Sequence, residues 1–349
     1  MTTHPPASAG RPPQPSGTPS TPPEASGPSE ASGPPEASGP KPESSLTVVI
    51  AFLANLLVAV AKTVAAFLTG SASMVAESAH SWADTGNEVF LFVADKRGVR
   101  KRDVDHPLGY GKETYVWSMF AAFGLFTVGA VVSIQHGISQ LGAAEEAEDY
   151  LVNYVVLAVA FVLEGISFTQ AFRQARGTAR DRQLPTLRFV LRSSNSTLRA
   201  VFAEDAAALV GLVIAFLGIL LHQLTGSAVF DAVGSILVGV LLGVVALVLV
   251  DRNRRFLVGE SPSDELEATV LDRLLSRPEI DRVTYLHTEF VGPGRLYLVA
   301  AVDMRGDERE EHVAVALRRV ERELEEHDAV EEAVLTLSTP DEPSLPLRR

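Results

Sequence analysis

The stretch A-E-S-A-H-S-W-A-D-T-G-N-E-V-F-L-F-V-A-D-K-R, Ala76 to Arg97, decides the fold class, because it places Glu77, His80, Asp84, Asn87 and Glu88 inside a long apolar run. At 3.6 residues per turn these five side chains follow at offsets of three and four and make one polar stripe on a helix. An ionisable group within a membrane span is costly against lipid, so the stripe turns toward a bundle interior and marks a substrate or ion path. His80 and Asp84 are four apart, which sets an imidazole and a carboxylate one above the other within reach of a shared metal ion.

Working outward, five more apolar runs of spanning length flank this one: about Leu46–Leu68, Tyr115–Leu141, Tyr150–Phe172, Leu198–Leu221 and Val229–Val250. A hydrophobic fraction of 46% in 349 residues agrees with the membrane class. Six spans put both termini on one side. Arg97, Arg100, Lys101, Arg102 and Lys112 follow the second run, Arg173, Arg176, Arg180, Arg182, Arg188, Arg192 and Arg199 lie around the connection between the fourth and fifth, and Arg252, Arg254 and Arg255 follow the sixth. The opposite connections hold acidic residues (Glu145, Glu146, Glu148, Asp149) or almost no charge, so positive-inside places both termini in the cytoplasm, with the cell membrane as the expected location.

Residues 1–44 are Pro, Ser, Gly, Ala and Glu with a near-repeat from Pro22 to Gly39, a composition that buries no core and is expected to be a disordered cytoplasmic tail. Residues 45–257 form the expected six-helix transmembrane domain. Residues 258–340 change to the composition of a soluble α/β domain: a helix over Asp264–Arg277, strands over Asp281–Gly292 and Gly294–Met304, a helix over Glu310–His327 and a strand over Ala329–Ser338, in the order αββαβ with both helices on one side of the sheet. Residues 341–349 are expected to be a flexible tail.

The chain has no cysteine, so any metal site uses His, Asp, Glu or Asn. The net charge of −13, without a basic patch, argues against nucleic acid as a partner. No phosphate loop, HExxH pair or nucleophile elbow is present, and the chain is not expected to be an enzyme.

The fifth run supplies a second constellation, Glu204 and Asp205. Adjacent residues point about 100° apart, so the two cannot face one centre equally. Glu204 shares its face with Ala208, Gly211, Ala215 and Gly218, small residues that admit another helix closely. A tetrahedral centre can be built from His80, Asp84 and Asp205 with Glu204 as fourth ligand; Glu204 reads equally well as a partner of Lys62. Glu77, Asn87, Glu88, Asn55 and Glu164 read as supports or helix contacts. Asp231 reads as a carboxylate at a helix N-terminus. Asp103, Asp105 and His106 offer a peripheral cation site or simply a turn, and His287, His312 and His327 read as surface histidines.

Four blocks in order, GSASMVAESAHSWADTGNEVFLF (Gly70–Phe92), DHPLGYGKETYVWSMFAAFGLFTVGA (Asp105–Ala130), AEDAAALVGLVIAFLG (Ala203–Gly218) and FDAVGSILVGVLL followed by RFLVGES (Phe230–Ser261), make the chain resemble the cation diffusion facilitator family, specifically its branch related to the ninth zinc transporter. The resemblance implies a six-helix membrane domain, a ferredoxin-like cytoplasmic domain that forms a homodimer, and exchange of a divalent cation, usually zinc, for protons. Its transport site falls on His80, Asp84 and Asp205. Many members have a His or Asp where this chain has Val201, which leaves Glu204 or water as the fourth ligand, and TLSTPDEP (Thr336–Pro343) lacks the His/Asp pair of members that bind metal in the cytoplasmic domain. The expected function is proton-coupled export of a divalent metal through the lipid bilayer, with the metal as cargo and not as cofactor. The alternatives are a transporter of Mn, Co or Fe(II), or a membrane metal sensor or adaptor without transport.

Overall fold

The computed structural model describes residues 45–142, 150–181 and 184–346; the expected tail over 1–44, the acidic residues Glu145, Glu146, Glu148 and Asp149, and Arg182 lie outside them. The described chain begins with α1 (Ser45–Thr69) and α2 (Ala72–Gly98). Gly70, at φ +70°, closes α1 in the left-handed conformation only glycine adopts freely, and Ser71 caps α2 by accepting the Met74 N–H at 3.2 Å. The two helices therefore form an antiparallel hairpin on a very short turn. A third rod, Glu113–Gln140, consists of α3 (Glu113–Gly124), a π-helical segment (Leu125–Val131) and α4 (Val132–Gln140). Then come α5 (Tyr150–Asp181), a short α6 (Thr186–Arg192), α7 (Ser196–Thr225) and α8 (Val229–Val258).

Among the described residues, five stretches are long and apolar enough to cross a membrane: Phe52–Thr69, Glu113–Gln140, Tyr150–Arg180, Ser196–Thr225 and Val229–Val258. The protein is an integral membrane protein. α2 matches the others at 27 residues, but its polar stripe removes it from that set. The fourth rod also runs further than its apolar composition foretold, because Arg173, Arg176 and Arg180 recur at helical spacing and carry α5 on to Asp181.

Small side chains let the rods approach. Ala76, Ala207, Ala215, Gly211 and Gly218 are among the buried residues, while Leu57, Phe67, Val159 and Ile166 face outward, as a lipid-facing surface requires. α2 and α7 run antiparallel along a ladder of near contacts. Thr197 donates to Asp95 at 3.0 Å, Asn87 donates to Glu204, and a Cβ on Gly211 would stand 2.8 Å from Glu77 Oε1 and one on Gly218 3.1 Å from Ser73 Oγ.

Beyond Gly259 lie α9 (Asp264–Leu275), β1 (Ile280–Gly292), β2 (Arg295–Met304), α10 (Glu310–Glu325) and β3 (Val330–Leu337). β1 and β2 pair antiparallel with Val283 opposite Val302 and Leu286 opposite Ala300; β2 and β3 pair parallel, Leu298 opposite Ala333, with α10 as the crossover. Leu271 and Leu274 of α9 and Val320 and Leu324 of α10 share one core with Ile280, Val283, Leu298, Ala300, Val302, Ala333 and Leu335, so both helices cover the same face.

The segment expected as a flexible tail behaves otherwise as far as residue 346. The Leu345 N–H donates to Val283 O at 2.8 Å, its side chain joins the core, and Arg282 donates to Glu342 O. β1 is an edge strand whose free backbone groups accept this cover.

Candidate metal centre

His80 and Asp84 are the expected ligands that the structure brings together. His80 is fully buried, with Nε2 3.4 Å from Asp84 Oδ2. Neither ring nitrogen has a hydrogen bond, and Asp84 Oδ1 is buried without a partner. Buried polar atoms are ordinarily satisfied. A cation between imidazole and carboxylate would satisfy them, and both are donors that zinc and other first-row dications accept.

Glu204 and Asp205 approach from α7 but are held apart from that pair. Glu204 is buried and takes the Asn87 amide on one oxygen, while Oε1 has no partner. Asp205, about 100° further round the helix, turns to α5, where Ser167 Oγ donates to it at 2.8 Å. Among the described residues no three His, Asp or Glu side chains converge on one point. Lys62, Glu164, Glu204 and Asp205 nonetheless lie near enough to act electrostatically on Asp84. Val201 offers no ligand and is half-buried.

The remaining polar residues of the stripe have partners on neighbouring helices. Lys62 Nζ is 2.9 Å from Glu77 Oε2, both side chains fully buried, so Lys62 pairs with Glu77 and not with Glu204. Asn55 donates to Glu88. The Lys62–Glu77 pair had a signal in the sequence that went unused: the two residues sit eight before and seven after Gly70, level across a tight antiparallel hairpin. Asp231 lies in the first turn of α8 but caps α2, accepting from Ser71 Oγ at 2.9 Å, from the Ala72 N–H and from the Ser73 N–H at 3.2 Å.

The Asp103–His106 loop is a closed turn. Asp103 Oδ1 accepts the backbone N–H groups of Asp105 and His106 at 3.1 and 2.8 Å, and Oδ2 accepts the Tyr110 hydroxyl at 2.7 Å. The Tyr110 bond, then the His106 N–H, hold the Asp103 carboxyl below its ordinary value. His287, His312 and His327 are exposed, as expected.

The sequence profile of the cation efflux transmembrane domain matches residues 48–258. Metal tolerance protein C4 of Arabidopsis thaliana is 32% identical over 75% of this chain and 58% of its own length. The mitochondrial proton-coupled zinc antiporter SLC30A9 of Xenopus laevis is 33% identical over 74% of this chain and 46% of its own length, and that of Homo sapiens is 30% identical over 84% and 50%. The chain thus spans about half the length of the curated relatives it matches. With the profile covering the whole helical bundle and the polar stripe of α2 inside it, this chain belongs to the cation efflux family, a family of membrane transporters and not of enzymes.

Proposed function

We propose that the protein is a secondary transporter that moves a divalent cation, zinc first among the candidates, out of the cytoplasm in exchange for protons. The observation that carries this reading is the fully buried His80 beside Asp84, with unmet polar atoms on both, in a helix packed among apolar ones. In this reading α2 is the sixth span, its polar stripe turned inward while Trp82, Val89 and Phe92 face outward, and both termini face the cytoplasm of a cell-membrane protein. Residues 45–257 carry the cargo. The αββαβ unit over 258–340 is ferredoxin-like and joins two copies into a homodimer.

The pair His80–Asp84 receives the ion first. Asp205 then leaves Ser167, and Glu204 leaves Asn87, to complete four-fold coordination from α7. Imidazole and carboxylate bind metal only when deprotonated, so loading the ion releases protons and unloading it takes them up, which couples the two fluxes without ATP. That two relatives are named proton-coupled zinc antiporters supports the reading. Val201 favours a second cargo class, because a centre with one imidazole and otherwise carboxylates also suits Mn, Co or Fe(II).

The test is metal flux in proteoliposomes under an imposed pH gradient, with zinc, manganese, cobalt and ferrous iron in turn. Asp84→Ala and Asp205→Ala are expected to reduce flux by more than roughly tenfold, since even indirect supports of metal ligands act on that scale. Undiminished flux in either variant overturns the assignment of that residue.

A further inference from the structure

Between the candidate centre and the α1–α2 turn lie two charges that the transport reading leaves unused. Lys62 and Glu77 are both fully buried and 2.9 Å apart, and Lys62 is the only lysine buried among the described residues. Taking two ions out of water for one contact gains little stability, and apolar residues of the same volume would serve the packing as well or better. The pair therefore calls for another reason.

Its surroundings supply one. Only one Glu77 oxygen is used; Oε1 has no partner and occupies space kept open by Gly211. Lys62 also lies within electrostatic reach of Asp84, Glu164 and His80. At 1.5 Å rise per residue, Glu77 stands about 4.5 Å nearer the turn than His80. On the turn side of this level the polar side chains of α1 and α2 are bonded: Thr69 Oγ1 donates to Ala65 O at 2.8 Å, and Asp231 ties down the first residues of α2. On the other side Asp84 Oδ1, Asn87 Oδ1, Glu88 Oε2 and Glu204 Oε1 are all left without partners. The α1–α2 hairpin is thus bonded toward its turn and left with unmet groups at mid-depth, while Asn153 of α5, at the turn end, keeps both buried amide atoms without partners.

We propose that Lys62 and Glu77 form a gate that senses the charge of the cargo. The Lys62 ammonium stands in for the dication while the centre is empty and holds Glu77, with the turn end of the bundle, shut. A dication on His80 and Asp84 repels the ammonium and attracts the free Glu77 oxygen. The pair separates, and the turn end opens for release. The same pair prevents an empty carrier from opening both ends at once. This gate rests on the His80–Asp84 reading above.

Hydroxyl-radical footprinting of the full chain in proteoliposomes tests it. The chain has no cysteine to compete for oxidation and only four methionines. Met74, fully buried within the closed end among α1, α5 and α7, is the reporter, and Met304 of β2 is the internal standard. With chelator present the parent is expected to protect Met74, and saturating zinc to speed its oxidation several-fold. Lys62→Met, and the isosteric Glu77→Gln should the first variant fold poorly, are expected to expose Met74 several-fold without zinc. Unchanged Met74 protection in both variants, or none gained or lost with zinc in a parent whose zinc flux still depends on Asp84, overturns the gate and leaves the centre standing. If the parent carries no Asp84-dependent flux the centre falls, and the chelator arm with the two variants still decides whether the pair seals this end.

Discussion

Asp231 and Asp103 make the same set of bonds in two different media. Each carboxylate accepts one hydroxyl and two backbone N–H groups: Ser71, Ala72 and Ser73 for Asp231; Tyr110, Asp105 and His106 for Asp103. Asp231 is buried within the bundle, whereas the Asp103 side chain is 44% exposed in the loop after α2. In water a lost partner is replaced by solvent; in the bundle the orphaned donors stay orphaned. Burial is what converts an ordinary turn motif into a structural commitment, and the same logic separates the partnered first turns of α2 from its unpartnered middle.

Asp231→Ala is the strongest way to break that comparison. It removes the acceptor of the Ala72 and Ser73 N–H groups, leaving Ser71 as the remaining cap of α2, and strands buried donors; the expected loss is about 3 kcal/mol, summing a capping interaction and an unmet donor. Thermal unfolding in detergent micelles checks it; a stability equal to that of the parent would mean that water reaches this end of the bundle. Ser73→Ala and Ser81→Ala sharpen the point within one helix. Ser73 Oγ donates to Asp231 O at 2.9 Å, whereas Ser81 Oγ is buried with no partner. The first substitution is expected to cost about 1 kcal/mol, and the second to stay within about 0.5 kcal/mol of the parent. Equal losses would show that Ser81 has a bonded partner, such as an ordered water.

Most elements were legible because hydropathy and period are local properties. The bounds of α1, α7, β1, β2 and α10 fall within a few residues of the sequence reading, as does the αββαβ order. The π-helical segment over Leu125–Val131 was not legible, since nothing in L-F-T-V-G-A-V favours a wider turn over an α-turn. His80 and Asp84 could be read as a pair from their spacing alone. The partner of Lys62 was within reach of the hairpin spacing about Gly70, but that of Asp231 was not, because it lies on a helix distant in sequence and depends on how two rods align in depth. How the acidic pair of α7 stands toward His80 and Asp84 was beyond the sequence for the same reason: Glu204 and Asp205 are adjacent in the chain, yet one is tied to α2 and the other to α5.

Tyr110→Phe has the smallest expected effect and bears on the exposed side of the comparison. The Tyr110 hydroxyl is the largest of the influences that hold Asp103 below its ordinary 3.8, so its removal moves the carboxyl back up toward that value. A depressed folded value means the charged carboxylate is favoured in the native state. Its contribution is complete above the ordinary value and is lost as pH falls from there through the lower folded one. The variant narrows that window from its acid side, and solvent screening keeps the effect on unfolding small. A carboxyl-carbon NMR titration of Asp103 in parent and variant measures the shift. An unmoved midpoint would assign the depression to the Asp105 and His106 N–H groups alone, and the likeness between the two aspartates would then rest on backbone donors without the hydroxyl.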